Sequence, residues 1–431
     1  MLIQHGKLIL VLAVAAAVLA TAPAAAQEKK WKDRAEYDLV QLITNAATPP
    51  AKKLELLNQW KEKYPESDFK VERLQSYITT HQQLGKAPEM LQAAKDLSAL
   101  DPKGVSGPYW ITLLTISMAH TSADALDTGE KAAHSLIANL PGAKPANVSD
   151  ADWDAQKKAL DAQANSTLGW VAMQRKNFPD AEKYLTESLK GNPNNGQNSY
   201  LLGSAILGQK NPDKQSQALF IFARAAMFDG QGALPEATRK QVSDYLDKIY
   251  AQYHGDKSGL DELRAQAKAS ALPPEGFRIK SFVEIAAEKE EEFKKTNPML
   301  ALWIGVKKEL SGPNGAQYFT SSVKEAALPK LKGKIVSHKP PANPKEIVVA
   351  ISDETSPEIT IRIAESGFLK GRAEPGAEIE FESMGLEFVS DPFMLTVEVE
   401  KDKITGWPAL APLPAPKKAP AAKKAPVGKK K

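Results

Sequence analysis

Apolar residues recur at three- and four-residue spacing from Trp31 to about Ala269, in a background of Ala, Leu, Lys, Gln and Glu. That is the period of amphipathic helices. Breaks fall at Tyr64-Pro65, Asp101-Pro102, Leu140-Pro141, Asn192-Pro193 and Asp229-Gly230. Proline cannot continue a preceding helix, so each break ends a unit. The intervals are 37, 39, 52 and 37 residues, and the long one holds the polar loop 142–149. The pattern predicts helical pairs at 36–47 with 51–63, 69–85 with 87–100, and 108–120 with 122–139. A helix over 151–176 leads into a fourth pair, and 200–207 with 217–228 makes the fifth. Segments 236–253 and 259–269 then read as a pair that caps the last apolar face.

Residues 281–330 read as a helical connector. Its first helix, 282–295, carries the charged run 288–292, which reads as a solvated face. The second, 298–310, is apolar, with Leu300, Leu302, Trp303, Ile304 and Val306. It docks on the following domain or extends the helical array. From Leu331 the period changes to two, which predicts strands at 332–338, 346–352, 358–364, 377–382 and 393–400. Five short strands within 331–407 resemble a small OB-like barrel, and a two-sheet sandwich is the alternative. Alternation turns Ile359, Ile361, Ile363, Ile379, Phe381, Phe393, Leu395, Val397 and Val399 inward. It turns Glu358, Glu380, Glu382, Glu398 and Glu400 outward, an acidic wall that disfavours nucleic acid as a partner. Lys332, Lys334, Lys339 and Lys345 gather near the first strand and read as solvated surface.

Within 162–195 the helical pattern becomes specific: Leu168-Gly169 in one helix, Ala181, Leu185 and Ser188 on one face of the next, and Pro193 at the end. After 34 residues Leu202-Gly203 repeats the first signal, and Ala218, Phe222 and Ala225 repeat the second. Segment 162–230 thus resembles two adjacent tetratricopeptide (TPR) units. The resemblance implies a multidomain α + β chain, with a TPR-like solenoid over 31–270 followed by the small all-β barrel or sandwich. In such repeats the first helices line a concave groove. The resemblance assigns that groove to Gln163, Ser166, Trp170 and Met173, then Gln197, Tyr200, Ser204 and Leu207. Packing against neighbouring helices is the alternative role of these residues. Two positions depart from the family: Asn165 replaces its usual large aromatic and Ala172 its usual tyrosine. The groove also lacks the Lys and Asn set with which some TPR domains clamp a terminal carboxylate.

The ends change the expected compartment and charge. Residues 1–26 read as a signal peptide, with Lys7, the apolar run 8–20 and cleavage expected after Ala26. The mature protein is then periplasmic or secreted; retention of the segment as an anchor is the alternative. Residues 408–431 form a Pro/Ala/Lys-rich tail with the composition of a disordered segment. Its lysines, Lys417, Lys418, Lys423, Lys424, Lys429, Lys430 and Lys431, and Lys7 together reverse the sign of the body: without them the formal +4 becomes −4. A basic tail on a mildly acidic body suits an anionic envelope polymer or lipid.

No cysteine occurs, which removes disulfides, thiolate nucleophiles and Cys-ligated metals. The six histidines, His5, His81, His120, His134, His254 and His338, are isolated, and no H-E-x-x-H, G-x-S-x-G or phosphate-binding loop appears. Gly230-Gln231-Gly232 lacks the third glycine of a dinucleotide fingerprint. These readings lead to no catalytic residue, metal or cofactor, and to a scaffold for a protein or peptide ligand. The alternatives are an envelope adaptor acting through the Lys tail and an enzyme of unrecognised type.

Overall fold

The computed structural model describes residues 29–364 and 367–411, so the expected signal peptide and the seven tail lysines lie outside the described residues. The chain divides after Phe282 into two compact units.

In the first unit helices follow one another in antiparallel pairs. These are α1 (Arg34–Thr44) with α2 (Pro50–Lys63), α3 (Lys70–Gln83) with α4 (Ala87–Leu100), and α5 (Ser106–Met118) with α6 (Ala123–Asn139). Then come α7 (Asp150–Gln174) with α8 (Phe178–Gly191), α9 (Gly196–Gly208) with α10 (Gln215–Met227), and finally α11 (Glu236–His254) and α12 (Leu260–Ala269), which both pack on α10 and are not the mutual pair that the hydropathy pattern predicted. Local chemistry starts them. The side chains of Asp33, Ser122, Ser149, Asn177 and Asn195 each accept a hydrogen bond from a first-turn N–H. Pro50 and Pro88 occupy first turns, where no amide hydrogen is needed.

From α1 to α11 each helix packs on the next, α5 also meets α7 and α7 meets α9, while α12 packs on α10 more closely than on α11. This stacking of pairs is a TPR-like solenoid, whose core runs from Trp60, Ile78 and Leu97 through Leu136 and Leu185 to Leu202, Phe220 and Leu246. At Gly169 a Cβ would stand 2.6 Å from Leu185 Cγ, so only glycine lets α8 close on α7. Asn165, where the family has an aromatic, is buried and donates through Nδ2 to the carbonyl and carboxylate oxygens of Asp161, each at 3.0 Å. The buried Arg224 of α10 donates to Pro193 O at 3.0 Å and to the carbonyls of Ala267 and Lys268 at the end of α12. Burial pulls its pKa below the ordinary arginine value.

The second unit opens with α13 (Phe282–Thr296), no residue of which is buried. Helix α14 (Pro298–Leu310) follows, then the single turn α15 (Gly315–Tyr318) and a π-turn over Phe319–Val323 that the hydropathy pattern did not predict. Strands β1 (Ala327–Lys339), β2 (Glu346–Ala350), β3 (Ile359–Ile363), β4 (Glu378–Ser390) and β5 (Phe393–Val399) pair in the order β1-β2-β3-β5-β4, and β4 returns to β1. The sheet is therefore a closed barrel, which excludes the sandwich. All pairs are antiparallel except β3 with β5. A two-residue strand, β6 (Ile404–Thr405), adds to β4.

The expected inward set is buried apart from Phe393, which is half-buried at the rim beside Trp303 and Phe388. Trp303 and Leu310 of α14 share the core of Ile335, Ile347, Phe381 and Leu395, so this helix docks on the barrel. Two expectations for the outer face fail. Glu358 is 1 % exposed, not outward. Its carboxylate accepts from Trp303 Nε1 at 3.0 Å, from the N–H groups of Ile351 and Ser352 at 3.0 and 2.7 Å, and from the Lys307 ammonium. The docked helix covers this position, which alternation within a strand cannot register. Nor is the outer face an uncompensated acidic wall. Lys330 pairs with Glu380 at 2.6 Å, Lys332 with Glu378 at 2.7 Å, Lys403 with Glu382 at 3.2 Å and Arg362 with Glu387 at 3.2 Å.

Candidate functional site

Helices α7 and α9 place the eight groove positions on neighbouring turns, but at unequal depth. Ser166 is buried and lies 3.1 Å from Asn198 Oδ1; Asn198 Nδ2 donates to Ser188 Oγ at 2.9 Å, and Ser188 donates to Ala162 O at 2.7 Å. This chain of bonds ties α7, α8 and α9 together inside the solenoid. Trp170 is 9 % exposed and belongs to the core that includes Leu126, Val171 and Leu201. Both residues face packing rather than solvent.

Gln163, Met173, Gln197, Tyr200, Ser204 and Leu207 are half-buried. Met173, Tyr200 and Leu207 pack against the core from outside, and Ser204 Oγ donates back to Tyr200 O at 2.9 Å. The amide nitrogen of Gln163 is shielded from solvent and has no hydrogen-bond partner among the described residues. Such a donor has lost water without replacing it, and a ligand carbonyl would satisfy it.

The hydropathy pattern missed Tyr245 of α11. Its ring stands edge-on to Phe222 at 5.4 Å, and Tyr200 stands edge-on to the same ring at 6.0 Å. Tyr245 is 43 % exposed. Burial of part of the ring, and secondarily Tyr200, push its hydroxyl above the ordinary phenol value. In sequence Tyr245 sits one position before the buried Leu246 of a helix read as a cap, where nothing marks it. With it, helices α7, α9 and α11 present a surface of aromatic rings, a thioether, an aliphatic side chain and amides, without formal charge. Such groups give large contact area at small ordering cost.

On the second unit an open cleft of about 730 Å³ is lined by Met299, Leu300 and the outer face of β1. Its lysines are already paired: Lys330 and Lys332 as above, and Lys334 with Glu354. Arg372 and Leu410 exchange backbone hydrogen bonds at 2.9 Å, and Arg372 Nε donates to Ala411 O at 3.0 Å, so the start of the Pro-rich tail is held on the barrel. Among the described residues no group of His, Asp and Glu could hold a metal ion, and no helix is long and apolar enough to cross a membrane.

No family model matches the chain, and no curated protein matches it. Among solved structures, the crystal structure of a thermophilic TPR protein of Thermus thermophilus is similar. The match has 16 % identity, covers 50 % of this chain and 98 % of that one, and has a TM-score of 0.27. A score this low carries no argument; the solenoid class stands on the helix pairing described above.

Proposed function

We propose that the chain is a non-enzymatic, exported bacterial scaffold of the cell envelope, and that the α7–α9–α11 surface holds a protein or an extended peptide. The observation that carries this reading is the uncharged, half-exposed row of Met173, Tyr200, Leu207 and Tyr245 seated on a rigid core. Rigid aromatic anchors supply most of the binding energy of such surfaces. Helix-pair solenoids suit this work, because each pair adds surface without changing the fold of the others. The signal-like residues 1–26 support the compartment. The strand order and the single parallel β3–β5 pair support an OB-like reading of the barrel, here an accessory domain.

A second reading, adhesion to anionic polymers or lipids through the tail, is favoured by the seven lysines that follow a body of opposite net charge. The test of the first is Tyr200→Ala with Tyr245→Ala in a cross-linking pull-down from periplasmic extract. Capture is expected to disappear while helical circular dichroism is unchanged. Undiminished capture rejects the surface.

A further inference from the structure

A second recess lies far along the solenoid from that surface. It is a cleft of about 460 Å³ between α2, α3 and α4, within the size range of small-ligand pockets. Its floor is one face of α3, because Arg73, Tyr77 and His81 follow at four-residue spacing. At the helical rise they span about 12 Å.

The two ends differ in charge. At one, Arg73 is 7 % exposed and lies over the Trp60 ring at 5.6 Å. Its Nη1 donates to Tyr64 O at 2.8 Å and to Trp60 O at 3.4 Å, and it makes no ion pair among the described residues. A guanidinium has five N–H donors, so this one is buried with donors to spare and no carboxylate at ion-pair distance, Glu36 and Glu66 acting on it only from farther off. The exposed Lys61 of α2 stands at the same cleft. In the middle, Tyr77 is held by its hydroxyl, which donates to Asn58 Oδ1 at 2.8 Å, and Leu74 and Ala93 complete an apolar bed.

At the other end His81 is 9 % exposed, and its Nδ1 is shielded without a hydrogen-bond partner among the described residues. Helix α4 runs back along α3 and brings Glu89 to His81, while Asp96, toward the Arg73 end of the rim, accepts from Gln92 Nε2 at 2.7 Å. Two unfulfilled polar groups thus bracket an aromatic bed, with Arg73 and Lys61 at one end and Glu89 at the other.

We propose that this cleft binds a free tri- or tetrapeptide. Its carboxylate lies between Arg73 and Lys61, a middle side chain rests on Tyr77, and its ammonium meets Glu89 near His81. The length follows from the geometry: 12 Å is about three and a half extended residues at roughly 3.4 Å each. The site is independent of the proposed scaffold surface, since it uses the second helical pair and α2 alone.

Calorimetric titration of the full chain with the free tetrapeptide alanyl-leucyl-alanyl-alanine tests it, alongside its C-terminal amide and its N-acetyl form. Saturable binding is expected, weakened about tenfold or more by either block. Lys61→Glu is expected to weaken the free peptide similarly but to leave the amide unchanged. Glu89→Gln is expected to cancel the effect of acetylation. Both substitutions are on the surface, so circular dichroism should match the unsubstituted chain. No saturation by about 1 mM, or an affinity indifferent to both blocks, overturns the proposal. Displacement of the peptide by equimolar inorganic phosphate overturns it too, because the cleft would then be an anion site without selectivity.

Discussion

Glu358 shows how much one polar residue does in this fold. Burial works to raise its pKa, but the Lys307 ammonium, the Ser352 backbone and the Trp303 indole outweigh that and hold it below the ordinary glutamate value. A depressed carboxylate stabilises the folded state above the unfolded-state pKa and loses that contribution as pH falls through the folded value. The denaturation midpoint of the barrel unit is therefore expected to fall from about pH 4.3 downward, and Glu358→Gln to flatten that part of the profile. Glu358→Ala leaves Lys307, the Trp303 indole and two backbone donors without their acceptor. A loss of about 3 kcal/mol in chemical denaturation is expected, and a loss below about 1 kcal/mol would show that water replaces the carboxylate. Glu36 plays a similar part in the first pair: it is fully buried, accepts from Trp60 Nε1 at 2.8 Å and from the Lys32 N–H at 2.7 Å. Neither role was legible in sequence. A glutamate at the edge of an apolar run has the same local pattern whether solvent or a second segment covers it.

For the elements, close approach matters more than propensity. The closure of α8 on α7 at Gly169 predicts that Gly169→Ala overpacks against Leu185, itself fully buried. The expected cost is about 1–3 kcal/mol, read from thermal melts, with little change in helix content. Helix positions and pairings were legible because period and breakers are local signals. The depth of Ser166 and Trp170 was not. Both lie on the α7 face that family positions assign to a groove, but Asn198 bonds the first and the core around Leu201 surrounds the second. Strand β4 gives the reverse case. The pattern ended it at Glu382, yet it runs to Ser390 through a register shift near Gly385. A Cβ at Gly385 would stand 2.4 Å from Val323 O, so the glycine admits the π-turn against the strand. In sequence that glycine looks like a stop.

On the scale of the whole molecule, charge and attachment decide how to test the ends. Because Leu410 and Ala411 bond to Arg372, a truncation meant to remove only the lysines should begin at Pro412, not at Pro408. Truncation there is expected to leave the melting temperature unchanged and to abolish salt-sensitive retention on envelope fractions. Retention that persists at about 0.5 M salt and without the tail rejects the polyanion reading. By itself the sequence determined the order of helices and strands, the pairing of helices into a solenoid, and which strand positions face a core. Those follow from periodicity and turn chemistry within a few residues. Only the tertiary structure decided that the sheet closes into a barrel, that α14 caps it over Glu358, that Glu380 and Glu382 on the outer face are paired, and which α7 side chains reach the surface. Each of these depends on what a distant segment lays over a face, and burial by a distant segment leaves no mark in the local pattern of the residues it covers.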